Sequence, residues 1–350
     1  HALPFTIYCN DKAWVPHLKQ DVEKVFDPKK NKFFRHGEAI RWLLKDDSGK
    51  VIGRVAAFIH QKTAKSFKQP TGGMGFFECI ENKDAAFLLF DTCKQWLEER
   101  GMEAMDGPIN FGEKDKFWGL LTENFVDPPY YGQNYNPEYY KTFFEAYGFK
   151  VYYHQLVFHR DYHGALQAKF VDRANRILAN PKYEIRRIDK RNLEKFALDF
   201  HRVYNRAWAT HTGFPGMSKA QCMALMNQVK PIVDENLIYF AYYEGTAVGF
   251  YMSLPELNQV FKYVNGNLNW FGKLKFLWYF KVLKVVDTSF GVAFGIDPDH
   301  QGKGLEGAIF KTYEKYIRPY PDRYKNLIIT WIGDFNPKMI SIIESLGATE

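Results

Sequence analysis

The sequence predicts a mixed α/β protein built as two tandem domains, and three observations carry that expectation. The chain has 350 residues, more than one hydrophobic core of ordinary size needs and enough for two. Two pairs of segments recur in the same order in both halves. Strand-like and helix-like stretches alternate along the C-terminal half, as they do in mixed sheets covered by helices.

The first recurring segment is a turn entering a strand: Gly49-Lys50-Val51-Ile52-Gly53 leads into Arg54–Ile59, and Gly245-Thr246-Ala247-Val248-Gly249 leads into Phe250–Leu254. The second is Asn-Pro followed by an amphipathic helix that ends at glycine. Asn136-Pro137 runs to Gly148, and Asn336-Pro337 runs to Gly347. Proline at the first helical position and glycine after the last explain both ends. These repeats divide the chain into a domain over residues 1–162, a linker helix over 163–182, and a second domain over 183–350. In the second domain the expected order is a strand at Tyr183–Ile188, helices to about Asn227, strands at 237–243 and 248–254, a helical stretch, a strand at 289–296, a glycine loop, a helix at 304–317, a strand at 326–332 and the Asn336-Pro337 helix.

Composition narrows the class. With 46% hydrophobic and 25% charged residues the chain has the make-up of a folded globular protein, which excludes disorder. Lysine and arginine number 47 against 40 acidic residues, an excess too small and too spread out for a nucleic-acid surface. Cys9, Cys79, Cys93 and Cys222 form no CxxC pair and no metal-ligand spacing, so no metal site is expected and the thiols read as reduced and packed. No run reaches the roughly 18 apolar residues of a membrane span, and the expected location is the cytoplasm.

One segment carries chemistry. Gly295 to Ala308 reads Gly-Ile-Asp-Pro-Asp-His-Gln-Gly-Lys-Gly-Leu-Glu-Gly-Ala, a glycine-rich turn between a strand and a helix. Glycines let the backbone approach an anion without a Cβ in the way, and the helix start presents free N–H groups and the positive end of its dipole. A P-loop is excluded, because no glycine stands five residues before Gly302 and no Ser or Thr follows Lys303. A dinucleotide fold fits poorly although Gly302 to Gly307 spells GxGxxG and Asp322 follows 20 residues on, because Asp297–Gln301 separate the strand from the first glycine and too little chain remains.

The strand, Ile296-Asp297-Pro298 and Gln301-Gly302-Lys303-Gly304 together resemble the acyl-coenzyme A loop of the GNAT acetyltransferase superfamily. The Asn336-Pro337 helix and the Gly245–Leu254 hairpin resemble that family's neighbouring segments, so the likeness covers most of 183–350. The resemblance implies a V-shaped opening in the sheet. The strand around Phe294 and Ile296 would hydrogen-bond the pantetheine of acetyl-coenzyme A or another acyl-coenzyme A; Gln301, Gly302, Lys303, Gly304, Leu305, Gly307 and Ala308 would hold its pyrophosphate; Asn336 would stand on the opposite wall. The implied reaction is acyl transfer to a small-molecule or peptide amine. The alternative is a non-catalytic acyl-coenzyme A binding or interaction protein on the same fold, and aminoacyl transfer to a cell-wall precursor is a third reading.

Two departures from the family pattern matter. Glu306 stands where Gly or Ala is usual, and Ile343 stands where many relatives carry a tyrosine acting as acid. No carboxylate lies on the strand 289–296, which leaves Glu244, Asp334 and, on an otherwise core-like stripe Phe200-Val203-Tyr204-Ala207-Trp208, His211 as the candidate catalytic groups. The equivalent loop of the N-terminal half, Glu81-Asn82-Lys83-Asp84-Ala85, has no glycine, and that copy is expected to bind no coenzyme A. The turns at 106–112 and 127–131 are given no catalytic role. Lys273, Lys281 and Lys284 border a broad apolar arc in 270–286; packing over the acceptor cleft is the expectation there, in preference to membrane contact. The family's sheet calls for one more strand after Gly347, whose source the sequence leaves open.

Overall fold

The computed structural model describes residues 1–66, 68–208, 216–319 and 323–350. The chain divides into two compact units, His1–Tyr152 with Leu257–Leu283, and Tyr153–Glu256 with Lys284–Glu350.

The first unit holds a four-stranded sheet in the order β1-β2-β3-β4, formed by Gly37–Lys45, Val51–His60, Thr71–Cys79 and Ala104–Asp106. Helix Lys83–Glu98 starts at Asn82, whose side chain accepts the Ala85 N–H at 2.9 Å. It buries Ala86, Leu89, Phe90, Cys93 and Leu97, the three- and four-residue spacing of one helical face. That face and Tyr140, Phe143 and Phe144 of helix Tyr139–Tyr147 make the core with the sheet. Gly148 then ends the helix at φ 111°, a left-handed position that glycine adopts at no steric cost. Asn136 does not cap this helix; its amide holds the backbone of Leu121 from both sides, at 2.8 and 3.1 Å.

The second unit holds a six-stranded sheet in the order β5-β10-β9-β8-β7-β6. These strands are β5 Gln155–Asp161, β6 Tyr183–Arg187, β7 Ile238–Tyr243, β8 Thr246–Pro255, β9 Thr288–Ile296 and β10 Asn326–Gly333. All neighbours are antiparallel except β9 and β10. Helices Leu193–Trp208 and Lys219–Val229 pack with β7 and β8 in one cluster, while Phe310 and Tyr313 of helix Leu305–Ile317 meet the Tyr251 ring at a tilt and edge-on.

Strand β5 differs from the sequence expectation. Read from the sequence it closes the first domain; in the structure it pairs along β10 in the second sheet, and Thr349 bridges to His159. It thus occupies the place beside β10 for which the sequence supplied no strand. Buried polar contacts fix it there. Arg160 donates to Glu314 and to the Leu346 carbonyl, and Tyr162 shares hydrogen bonds with Ser289 and Tyr313. Helix Ala168–Leu178, within the expected linker, packs against helix Leu305–Ile317 of the same unit: a Cβ at Gly307 would lie 3.1 Å from the Phe170 carbonyl and 3.2 Å from the Ala174 methyl.

Candidate functional site

The centre of the second sheet is split. β9 and β10 pair only over Thr288–Gly291 and Asn326–Ile329. Beyond Gly291, β9 stays with β8 as far as Ile296, and beyond Ile329, β10 stays with β5 as far as Gly333. The two strands therefore part from each other while keeping their outer partners. Each carries an irregularity at the fork. In β9, Val292 is the extra residue between the Met252–Ala293 and Ser253–Gly291 pairs, a bulge that bends the strand. In β10, Trp331 has φ 66° between the Ile329 and Ile332 pairings.

Residues 292–296 consequently have no strand partner on the side of the fork, among the described residues, with only the Ile296 carbonyl already taken, by the Gln301 side chain, and such an edge is a template for an extended polar chain. Phe294 is half-buried with its ring 6.0 Å from Phe310, and Ile296 is buried opposite Gly249. Thr330, the first residue of β10 past the fork, is buried, and its hydroxyl has no hydrogen-bond partner among the described residues. A buried hydroxyl without a protein partner is costly unless a water or a ligand reaches it.

At the far end of the β9 edge lies the glycine loop. Asp297 accepts the Asp299 N–H at 3.2 Å to open a short turn over Pro298–His300, and Gln301 donates its amide to the Ile296 carbonyl at 3.0 Å. Gly302 and Gly304 have φ of 71° and 96°. Among the described residues the N–H groups of Gly302, Lys303 and Gly304 have no partner, and those of Leu305, Glu306 and Gly307 open helix Leu305–Ile317, where no intrahelical acceptor exists. Six successive amides at a helix start are an anion site.

The glycines do not all serve that site in the same way. A Cβ on Gly302 would meet nothing within 4 Å, whereas one on Gly304 would lie 2.8 Å from the Cβ of Arg173. Gly304 and Gly307 are therefore required by the close approach of helix Ala168–Leu178. That approach also brings Arg173 beside the loop as an exposed cation. From the other side Arg206, on helix Leu193–Trp208, grips both loop carboxylates, Asp297 at 2.9 Å and Asp299 at 2.7 Å. Burial pushes the Asp297 carboxyl up, but the Arg206 and Asp299 hydrogen bonds outweigh it and hold it below the ordinary carboxylate value. Burial and neighbouring Lys303 hold His300 below the usual imidazole value; its ring bonds the Tyr183 hydroxyl at 2.7 Å. Neither Arg173 nor Arg206 was marked by the sequence, because each lies far along the chain from the loop and has no motif of its own.

The remaining sequence-predicted residues are scattered. Gln301, Gly302, Lys303, Gly304, Leu305, Gly307 and Ala308 form the loop and helix start. Asn336 leaves the end of β10 across the fork and caps helix Pro337–Ser345, accepting the Met339 N–H at 3.2 Å. Glu244 sits in the β7–β8 turn, exposed and paired with Lys182 at 2.8 Å. It lies beyond Thr246, seven residues from the fork partner Ser253, about 23 Å of strand. Asp334 is exposed and accepts the His154 N–H at 3.0 Å. His211 and Asp322 lie outside the described residues. Tyr204 stacks between Phe200 and Trp208 in the core stripe. Ile343 is buried against Phe158 and Ile332, so its place holds packing and no proton donor. Among the described residues no cluster of His, Cys, Asp or Glu could hold a metal.

The first unit shows what the fork looks like when it is closed. β3 and β4 are also parallel and pair only over Thr71–Gly73 and Ala104–Asp106. There the chain after β4 fills the gap itself: the Ile109 N–H bonds the Met74 carbonyl at 2.8 Å, and a Cβ on Gly75 would lie 1.9 Å from the Ile109 oxygen. The following helix starts at Asn82 without a glycine.

A forked sheet with a bulged central strand and a glycine loop, present in one copy and degenerate in the other, is the tandem GNAT fold. Solved structures agree. A tandem GNAT protein from the clavulanic acid biosynthesis pathway covers 99% of this chain and 89% of its own length at 11% identity and a TM-score of 0.52. A GCN5-related glucosamine N-acetyltransferase region of a fungal multi-domain β-N-acetylglucosaminidase matches 99% of this chain at 12% identity and a TM-score of 0.52, with this chain spanning 35% of that protein. Among curated sequences, the bacterial ceramide synthase of Caulobacter vibrioides is 28% identical over 356 residues, covering 99% of this chain and 90% of that protein. Protein YghO of Escherichia coli K12 is 24% identical over 354 residues, covering 99% and 88%. No protein-family model matches the chain.

Proposed function

We propose that the protein is an N-acyltransferase that moves an acyl group from an acyl-coenzyme A to the amine of a long-chain amino alcohol, with the reaction centred on the fork of the second unit. The observation that carries this reading is the free β9 edge, 292–296, running from the fork to the six amides of the glycine loop. An acyl-coenzyme A has that layout: an extended chain with two amides, a thioester at one end and a diphosphate at the other. The loop amides, Lys303 and Arg173 would hold the diphosphate, with Arg206 keeping the loop in place through Asp297 and Asp299. Glu306, partly exposed on the first helical turn, is accommodated if its carboxylate points to water.

At the fork the neutral amine attacks the thioester carbonyl, the C–N bond forms, the C–S bond breaks, and the proton lost by the nitrogen is taken up by the departing thiolate, directly or through water. A thiol with a pKa near 8.5 is a workable leaving group without an acid, so Ile343 does not exclude turnover. The Thr330 hydroxyl is a polar group at the fork that can donate to the carbonyl oxygen or the departing sulfur. The amine class comes from the likeness to a protein named as a ceramide synthase, since a ceramide is the amide of a long-chain amino alcohol. The test is release of coenzyme A thiol with a long-chain amino alcohol against short amines, and transfer to short amines alone would remove the long-chain acceptor. Buried Ile343 favours the second reading, a protein that binds acyl-coenzyme A without turnover; thioester binding with no transfer to any amine would select it.

A further inference from the structure

The connection Leu257–Leu283 contains Lys262, Lys273, Lys275 and Lys281 and no acidic residue. Helix Trp270–Leu277 in this segment starts at Asn269, which accepts the Gly272 N–H at 2.9 Å, and continues as a wider turn over Trp278–Val282. Its inner side packs within the segment, which Phe261 joins to Tyr131 of the first unit at 5.2 Å. Gly272 is buried where a Cβ would lie 2.0 Å from the Asn267 oxygen, and Phe276 sits 5.4 Å from Phe261 and 5.3 Å from buried Phe280.

The outer side departs from the packed helix expected of the sequence. Trp270 and Phe271 are 68% and 70% exposed, and Leu274, Leu277 and Trp278 are exposed beside them. At about 100° per residue these five fall within an arc of about 120°, opposite Gly272 and Phe276, with Lys273 on one border and Lys275 on the other. The segment is apolar around too much of its circumference for one packing face to cover. A contiguous apolar patch rimmed by charge marks an interaction surface.

We propose that this face seats the protein on an anionic lipid surface. Indole and phenyl rings partition to the headgroup boundary, lysine stems extend along apolar surface to reach phosphates, and an apolar arc between lysines is the pattern of a helix lying in that plane. A second copy is the poorer occupant, because a two-fold contact through this face would bring Lys273 and Lys275 on its borders against the same lysines of the other copy. The proposal goes beyond the acyl-transfer reading and does not depend on it; combined with it, the surface is where a long-chain amine resides.

The test is flotation of the full-length chain with extruded vesicles of phosphatidylcholine alone and of phosphatidylcholine with phosphatidylglycerol. Binding is expected to the anionic vesicles and to weaken with salt. Lys273→Glu with Lys275→Glu is expected to weaken it at least tenfold, since each near-surface lysine accounts for about a fivefold change. Trp270→Glu with Trp278→Glu is expected to do the same. Both pairs replace exposed side chains, so circular dichroism and acyl-coenzyme A affinity stay as in the parent, which separates this result from a failure of the acyl-transfer reading. Absence of vesicle binding by the parent overturns the proposal, as does binding by the variants equal to the parent's. A concentration-dependent dimer lost in the same variants, without vesicle binding, overturns it in favour of contact between copies.

Discussion

Gly302 and Gly304 occupy the same loop and both have positive φ, yet alanine should act on them very differently. At Gly302, φ is 71° and a Cβ would meet nothing within 4 Å; the left-handed conformation alone should cost about 1–2 kcal/mol. At Gly304, φ is 96° and the Cβ would stand 2.8 Å from the Arg173 Cβ and 3.1 Å from its carbonyl carbon and oxygen. Two of those contacts are backbone, so a side-chain rotation cannot relieve them. Overpacking adds about 1–3 kcal/mol, for a total of about 2–5 kcal/mol. The assay is urea unfolding of each variant followed by tryptophan emission, with acyl-coenzyme A affinity measured below the transition. Gly304→Ala should lose more stability than Gly302→Ala by at least 1 kcal/mol. Equal losses would refute the claim that Gly304 is a helix-contact glycine and return its role to the phosphate.

Arg173→Glu should weaken acyl-coenzyme A binding at least fivefold at low salt and less at high salt, checked by titration at both, because an exposed cation beside the loop acts through a screened field. Ile343→Tyr should lower stability by about 1–3 kcal/mol and leave turnover unimproved, because position 343 points into the cluster with Phe158 and Ile332. Asp297→Asn should destabilise at neutral pH. The native carboxyl lies below its ordinary value of 3.8, so its contribution is complete above that value and is lost as pH falls through the lower native one; parent and variant unfolding curves should converge only below about pH 4.

Local chemistry was legible and partnership was not. Asn336-Pro337 and Gly347 announced a helix that the structure places at Pro337–Ser345 with Gly347 at φ 76°, because proline and glycine act on the residues beside them. The strand–loop–helix order around Gly302 was readable for the same reason. Strand β5 was recognisable as a strand, but alternation reports a strand's faces and not which edge it joins, so its place beside β10 stayed hidden. Gly304 and Gly307 announced a close approach without saying whether a phosphate or helix Ala168–Leu178 makes it. Arg206 is an ordinary helical arginine until the fold brings it to Asp297, 91 residues on. The apolar arc of helix Trp270–Leu277 was visible as an arc, and only the structure shows that it faces outward.

The central claim is that one fork, in the second unit, takes an acyl-coenzyme A while its counterpart in the first is filled by Ile109. Calorimetric titration of acyl-coenzyme A into the parent and into Gly302→Asp tests it directly. Aspartate tolerates the left-handed conformation better than most residues and has open space there, so the variant puts a carboxylate at the loop without the Arg173 clash that a change at Gly304 would cause. One site per chain, weakened at least tenfold by Gly302→Asp, is the predicted result. Two sites per chain, no binding by the parent, or binding that ignores Gly302→Asp would contradict it.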